Sequence, residues 1–289
     1  MALTFGTGPL GAHRGQWSFE LPGQVWYLED WPRRMRAVLG DQTVLDTRRA
    51  KLLHTAGSFA AHQFPLEDIS KHLLVPIDDV SKDDLTVDDR VGPVSRFDVR
   101  VGERLGRGAV VAYLDPPAGA PPLAGYATVD FAAMDRWFEE DDPIYSHPRD
   151  PYHRVDVRAS SRHVVIRHGD QVLAESRRPK LLFETSNPIR YYLPFADVRI
   201  DLLELSDTVS ECPYKGDGQH WHLVLGEERI DDAAWSLPHP LPEGFAAAEH
   251  VCFYPEKLDT VVDGERIVDA QPEWATTTDE PIDDVSRGV

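Results

Sequence analysis

The chain has 289 residues, about two domains' worth at roughly 150 residues each, and its 42% hydrophobic and 27% charged residues are the balance of a folded globular protein. Lys and Arg number 30 against 49 Asp and Glu, a net charge of −19. That argues against sequence-independent nucleic-acid binding and against adhesion to anionic membranes, both of which draw on cationic side chains, although a local basic pocket is compatible with it. No apolar run approaches the roughly 18 residues of a membrane-spanning helix. Met1 to Gly15 lacks the basic start and apolar core of a secretory signal, so the expected location is cytoplasmic. Cys212 and Cys252 are the only cysteines and have no CxxC spacing, which fits neither a disulfide scaffold nor a structural zinc.

An internal repeat organises the chain. Gly40 to Leu53 aligns without a gap on Gly169 to Leu182, Arg48 standing 129 residues before Arg177, and the match runs on through Pro65 on Pro194 to Leu73-Leu74 on Leu202-Leu203. Gly102-Glu103 then matches Gly226-Glu227 at an offset of 124, the first copy carrying the extra residues in its acidic stretch Asp78 to Asp89. The order along the chain is an N-terminal arm (1–30), a degenerate first repeat (31–141), a stiff Pro-rich junction (142–153), a second repeat (154–267) and an acidic tail (268–289) read as disordered.

In the second repeat, Val164 to Ala174 alternates around His168-Gly169-Asp170 and predicts a hairpin. Leu181 to Glu184 and Arg190 to Leu193 flank Ser186-Asn187-Pro188 as a second pair. The spacing of Val198, Leu202 and Leu203 after Pro194 predicts one short helix with Asp197 near its start. His220 to Leu225 and Ala233 to Leu237 flank Gly226-Glu227-Glu228 as a third pair, and Val251 to Tyr254 with Thr260 to Val262 as a fourth. The fold class is therefore mainly β with minor α: two tandem, pseudo-symmetric, small antiparallel domains, each with one short helix. Packed as an internal dimer they would bury apolar faces that one small domain leaves wet. Higher oligomeric state is left open.

Asp150 to Val157, Ser160 to Val164, Ala174-Glu175-Ser176, Leu182 to Thr185, Arg190 to Pro194 and Cys212-Pro213-Tyr214-Lys215-Gly216 resemble the bacterial family known as domain of unknown function 427, sometimes labelled nucleotidyltransferase-like. The resemblance implies a compact β-tent-like domain of the kind seen in cereblon-type ligand-binding domains, with no established activity. The first copy departs from the pattern. Of Cys212 to Gly216 only the glycine survives, at Gly92, while Glu184, Tyr191, Tyr192 and Trp221 face Thr55, His62, Gln63 and Phe97. The site is expected in the second copy alone.

Three chemistries are open there. A lysine beside a thiol raises its thiolate fraction, so Cys212 reads as a nucleophile, Lys215 as its partner and His220 or His222 as a base, for acyl, amide or nucleotidyl transfer. The bland reading makes Cys212 a small inert residue in a turn shaped by Pro213 and Gly216. Tyr192, Tyr214, Trp221, Trp235 and Phe253, converging on one face with Arg177, Glu184 and Lys215 at the rim, would suit a small polar or planar ligand such as a nucleobase or imide-like ring. Against this stands the ordinary fate of aromatics, which is core packing. His220, His222, His250 and Cys252 form two i, i+2 pairs that are easily accidental, and no metal is expected. Nucleotidyl transfer wants carboxylates alternating on one strand face after a Gly-Ser turn, whereas Asp231-Asp232 and Glu139-Glu140 are adjacent. Without a Walker-type loop or dinucleotide fingerprint no cofactor is expected either. The ligand-binding reading leads, the enzyme follows, and a protein-interaction module is third.

Overall fold

The computed structural model describes residues 26–55, 60–77, 91–185 and 187–267. The N-terminal arm up to residue 25, the acidic insertion and the acidic tail lie outside them. The chain divides into two compact units between Pro148 and Arg149.

The first unit has eleven strands, β1 (Trp26–Asp30), β2 (Met35–Leu39), β3 (Gln42–Thr47), β4 (Lys51–Thr55), β5 (Ala61–Pro65), β6 (Leu74–Pro76), β7 (Val94–Val101), β8 (Arg104–Tyr113), β9 (Tyr126–Val129), β10 (Arg136–Glu139) and β11 (Asp142–Ile144). The second repeats them as β12 (Val155–Ala159), β13 (Val164–His168), β14 (Gln171–Ser176), β15 (Lys180–Glu184), β16 (Arg190–Pro194), β17 (Leu203–Ser210), β18 (Gly216–Leu225), β19 (Glu228–Pro240), β20 (His250–Phe253), β21 (Asp259–Val262) and β22 (Glu265–Arg266). The seven-stranded orders β1-β4-β5-β9-β8-β7-β6 and β12-β15-β16-β20-β19-β18-β17 correspond strand for strand. So do the four-stranded orders β11-β10-β2-β3 and β22-β21-β13-β14. All pairings are antiparallel. Each domain is thus mainly β, and its core lies between a large and a small sheet. In the second domain Val164 and Ile166 from the small sheet meet Leu181, Leu193, Leu223 and Val251 from the large one.

Two local expectations change. The short helix after Pro194 is realised as two 3-10 turns, Phe195–Asp197 and Ile200–Leu202. Val198 between them is extended and bridges Ala174, which stops one helix running through. The fourth strand pair is not a pair. β20 joins β16 and β19 in the large sheet, and β21 joins β13 in the small one.

The turns are tied down alike in both copies. Ser176 Oγ donates to Asp197 Oδ2 at 2.7 Å and Arg178 to Asp197 Oδ1 at 2.8 Å. In the first copy Thr47 and Arg49 hold Asp68 in the same way. The Arg178 hydrogen bond holds the Asp197 carboxyl below its ordinary range. The repeated Arg-Arg pair therefore carries structure through its second member.

Glycine is retained at Gly92 and Gly216 for a steric reason. Both have positive φ, +77° and +95°. A Cβ would sit 2.6 Å from the Asp115 carbonyl oxygen in one and 2.5 Å from the His239 carbonyl oxygen in the other. The entry to β7 and to β18 crosses its neighbouring chain too closely for any side chain.

Candidate functional site

Strand alternation sorts the side chains of the second domain's large sheet onto two faces. Tyr191, Leu193, Val251, Phe253, Ala234 and Trp221 point into the core. Leu182, Tyr192, Cys252, Trp235 and Leu237 pack together on the opposite face, with Val155, Val157 and Ala247. Direct register places Lys180, Tyr192, Cys252, Trp235 and His220 in one row across five strands.

At one end of this face stands Glu184, with its side chain only 8% exposed. His153 Nε2 lies 3.0 Å from its Oε1, and Lys215 Nζ donates to its Oε2. Burial alone would push this carboxyl up. The His153 hydrogen bond and the Lys215 charge outweigh it and bring the pKa down to about 2. The His153 ring packs 4.2 Å from that of Tyr214, whose hydroxyl oxygen accepts from the Asp150 backbone N–H at 2.5 Å. Arg149 lies over the Tyr214 ring and pairs with Glu243. The Cys-Pro-Tyr-Lys-Gly turn is closed by Gly216 N–H to Cys212 C=O at 2.9 Å and held to the next strand by Leu241 N–H to Lys215 C=O at 3.0 Å. That fixes where Lys215 starts, and Glu184 fixes where it ends.

Beyond Tyr192 the face becomes aromatic. Trp235 Nε1 donates to the Tyr192 hydroxyl at 2.9 Å, and the Trp235 and Tyr254 rings lie 4.3 Å apart. The Arg190 guanidinium is 5.5 Å from the Trp235 centroid and 5.8 Å from that of Tyr254, within cation–π range of both, and is 2.8 Å from Glu256. Burial pushes the Tyr254 hydroxyl up to about 12. The Tyr192 hydroxyl is raised by its burial and further by the nearby Glu184 charge, so the ionic and aromatic ends adjoin.

The sequence-derived residues divide accordingly. Glu184, Lys215 and Tyr214 come together, and so do Tyr192 and Trp235. Trp221 and Phe253 belong to the core, Trp221 Nε1 donating to Ser236 Oγ at 3.0 Å. Arg177 is exposed in the turn before β15, at the opposite end of that strand from Glu184. Lys215 is paired with Glu184 rather than with Cys212. His220 Nε2 lies 3.0 Å from Ser210 Oγ, and His222 Nδ1 lies 3.0 Å from Asp231, so neither histidine is given to Cys212 as a base. The four residues weighed as metal ligands are dispersed in the same way, His250 Nδ1 lying 2.7 Å from the Ala248 carbonyl oxygen.

The two thiols are expected to differ sharply. Cys252 is fully buried, and burial pushes its pKa well up, whereas Cys212 is partly exposed. Iodoacetamide at neutral pH should modify Cys212 in the native chain and reach Cys252 only after unfolding. Peptide mapping of native and denatured samples checks this.

The family model of a domain of unknown function, DUF427, matches residues 27–140 and again 156–264. The chain belongs to this family. Each DUF427 match spans the first ten strands of one set, so the repeat and the family unit follow the same division of the chain. A comparison with curated proteins gave no match. Within this DUF427 chain the site includes residues that the sequence reading did not single out: His153, Arg190, Tyr254 and Glu256. The repeat itself held the signal. Their equivalents in the first copy are Gln24, Ala61, Asp130 and Ala132, none of which repeats the imidazole, guanidinium, phenol or carboxylate of its counterpart.

Proposed function

We propose that the second DUF427 repeat binds a small polar or planar ligand on the outer face of its large sheet. The observation that carries this reading is the Trp235–Tyr254 pair, partly exposed and bracketed by Arg190, beside the buried Glu184 that holds Lys215 in place. Aromatic rings offer a flat surface to a planar group, and Lys215, with only one of its three donors committed to Glu184, offers hydrogen bonds to ligand oxygens. The cluster is confined to one of two copies that share every strand, so the fold itself does not require it. Glu184 is a positioning group in this reading, because both of its oxygens are already occupied.

A thermal-shift screen of cellular metabolites against the whole chain tests it. At least one compound should raise the melting temperature, and Trp235→Ala should abolish that rise while the variant still melts cooperatively. Absence of any responding compound, or a response that Trp235→Ala leaves intact, overturns the reading. Cysteine chemistry at Cys212 is less well supported, since its expected partners Lys215, His220 and His222 are engaged elsewhere.

A further inference from the structure

We propose that Ser210 and His220 form a nucleophile–base pair that hydrolyses small esters, a site separate from Cys212 and Lys215. Ser210, at the exposed end of β17, places its Oγ 3.0 Å from His220 Nε2. A serine hydroxyl is a weak nucleophile until a base within hydrogen-bond reach takes its proton, and this is that distance. Room for the contact is supplied by Gly218, which stands opposite Ser210 in the β17–β18 register. A Cβ on Gly218 would lie 2.5 Å from Ser210 Oγ.

The rest of the surroundings suit a base. His220 is 7% exposed, and its ring stacks on Tyr254 with centroids 6.2 Å apart. With Ser210 donating to Nε2, the ring proton sits on Nδ1, a buried atom with no hydrogen-bond partner among the described residues. Asp232 Oδ1 is also buried, with His222 Nδ1 3.9 Å away, while Asp232 Oδ2 is held by Thr208 Oγ1 at 2.9 Å. Burial lowers the His220 pKa below its ordinary value, the Asp232 charge opposing this and the Lys257 charge adding to it. The base is thus neutral at rest and has a carboxylate nearby when it takes up a proton. The first copy has Val94 and Arg96 where the second has Gly218 and His220.

In the reaction Ser210 Oγ bonds to the ester carbonyl carbon as its proton passes to His220 Nε2. The bond from that carbon to the alcohol oxygen then breaks, and His220 returns the proton to the departing alcohol. Water, giving a proton to His220, attacks the acyl-serine, releases the acid and restores Ser210. Tyr254 and Trp235, beside the imidazole, favour esters with a planar acyl or aryl group. That preference rests on the ligand reading above, while the reactivity of Ser210 does not.

A fluorophosphonate probe tests the pair on the full chain, the Ser210 Oγ–P bond forming as P–F breaks and fluoride leaves with the serine's proton. The label should map to Ser210, vanish in Ser210→Ala, and form at least about 100-fold more slowly in His220→Gln. No label at Ser210 in a chain that melts cooperatively, or an unchanged rate in His220→Gln, overturns the proposal. If His220→Gln fails to fold, Gly218→Ala decides, a comparable loss supporting the pair and an unchanged rate overturning it. The metabolite-induced thermal shift should persist in Ser210→Ala, so failure of the dyad and failure of ligand binding are read separately.

Discussion

Replacing Glu184 by Gln is expected to cost about 3 kcal/mol of stability at neutral pH, and the loss should disappear in acid. The native carboxyl titrates at about 2 against an ordinary 4.5, which corresponds to about 3 kcal/mol. A depressed pKa means that the unfolded chain takes up the proton first as pH falls. The contribution is therefore complete above about pH 4.5 and is lost as pH drops toward about 2. Removing the charge also leaves Lys215 without its counter-ion in a largely buried setting, and breaking such a pair from one side commonly costs about 3–5 kcal/mol. Denaturant unfolding of both proteins from pH 7 to pH 2 would show the difference between the curves closing over that window. A constant difference down to pH 2 would mean that Glu184 is not ionised in the way its partners imply.

Gly216→Ala should be comparably severe. Its φ of +95° strains any L-residue, and the new methyl would meet the His239 carbonyl oxygen at 2.5 Å, a backbone atom that cannot swing aside. A loss of about 3 kcal/mol, or roughly 10 °C in the transition of the second domain, is expected. Gly92→Ala should act equally on the first domain, where the corresponding contact is 2.6 Å. Gly169→Ala is the comparison. Its φ is +55°, but nothing lies within 4 Å of the added carbon, so it should cost only about 1 kcal/mol. Calorimetry of the three variants separates crowding from backbone strain, and equal losses at Gly169 and Gly216 would refute the steric account.

Much of the fold could be read from the sequence because hairpins are local. Gly169-Asp170 and Gly226-Glu227 mark turns that β13–β14 and β18–β19 adopt. What failed was non-local. Val251 to Tyr254 and Thr260 to Val262 are neighbours in sequence, yet long-range partners on β16, β19 and β13 send them to different sheets. The candidate site was half legible for a related reason. Trp221 and Trp235 look alike in sequence, but one points inward and the other outward. Opposite Asp217–Gln219 and Trp221–Leu223 the partner strand carries extra residues, between Ser236 and His239 and between Ile230 and Ala234, and these bulges break the parity count along β19. Nothing local separates the adjacent arginines Arg177 and Arg178. Only the fold shows which of them reaches Asp197.

The small sheets of the two domains also set an order of events during synthesis. β2 pairs with β10, Met35 facing Glu139, and β13 pairs with β21, Val164 facing Val262, so each small sheet joins the first strands of its domain to the last. Such distant pairings make folding slow, and neither domain can close until nearly all of it has been made. Every described pairing nevertheless falls within 26–144 or within 155–266. The first domain can finish on the emerging chain before its near-duplicate supplies competing strands, which guards a tandem repeat against exchanging β10 for β21.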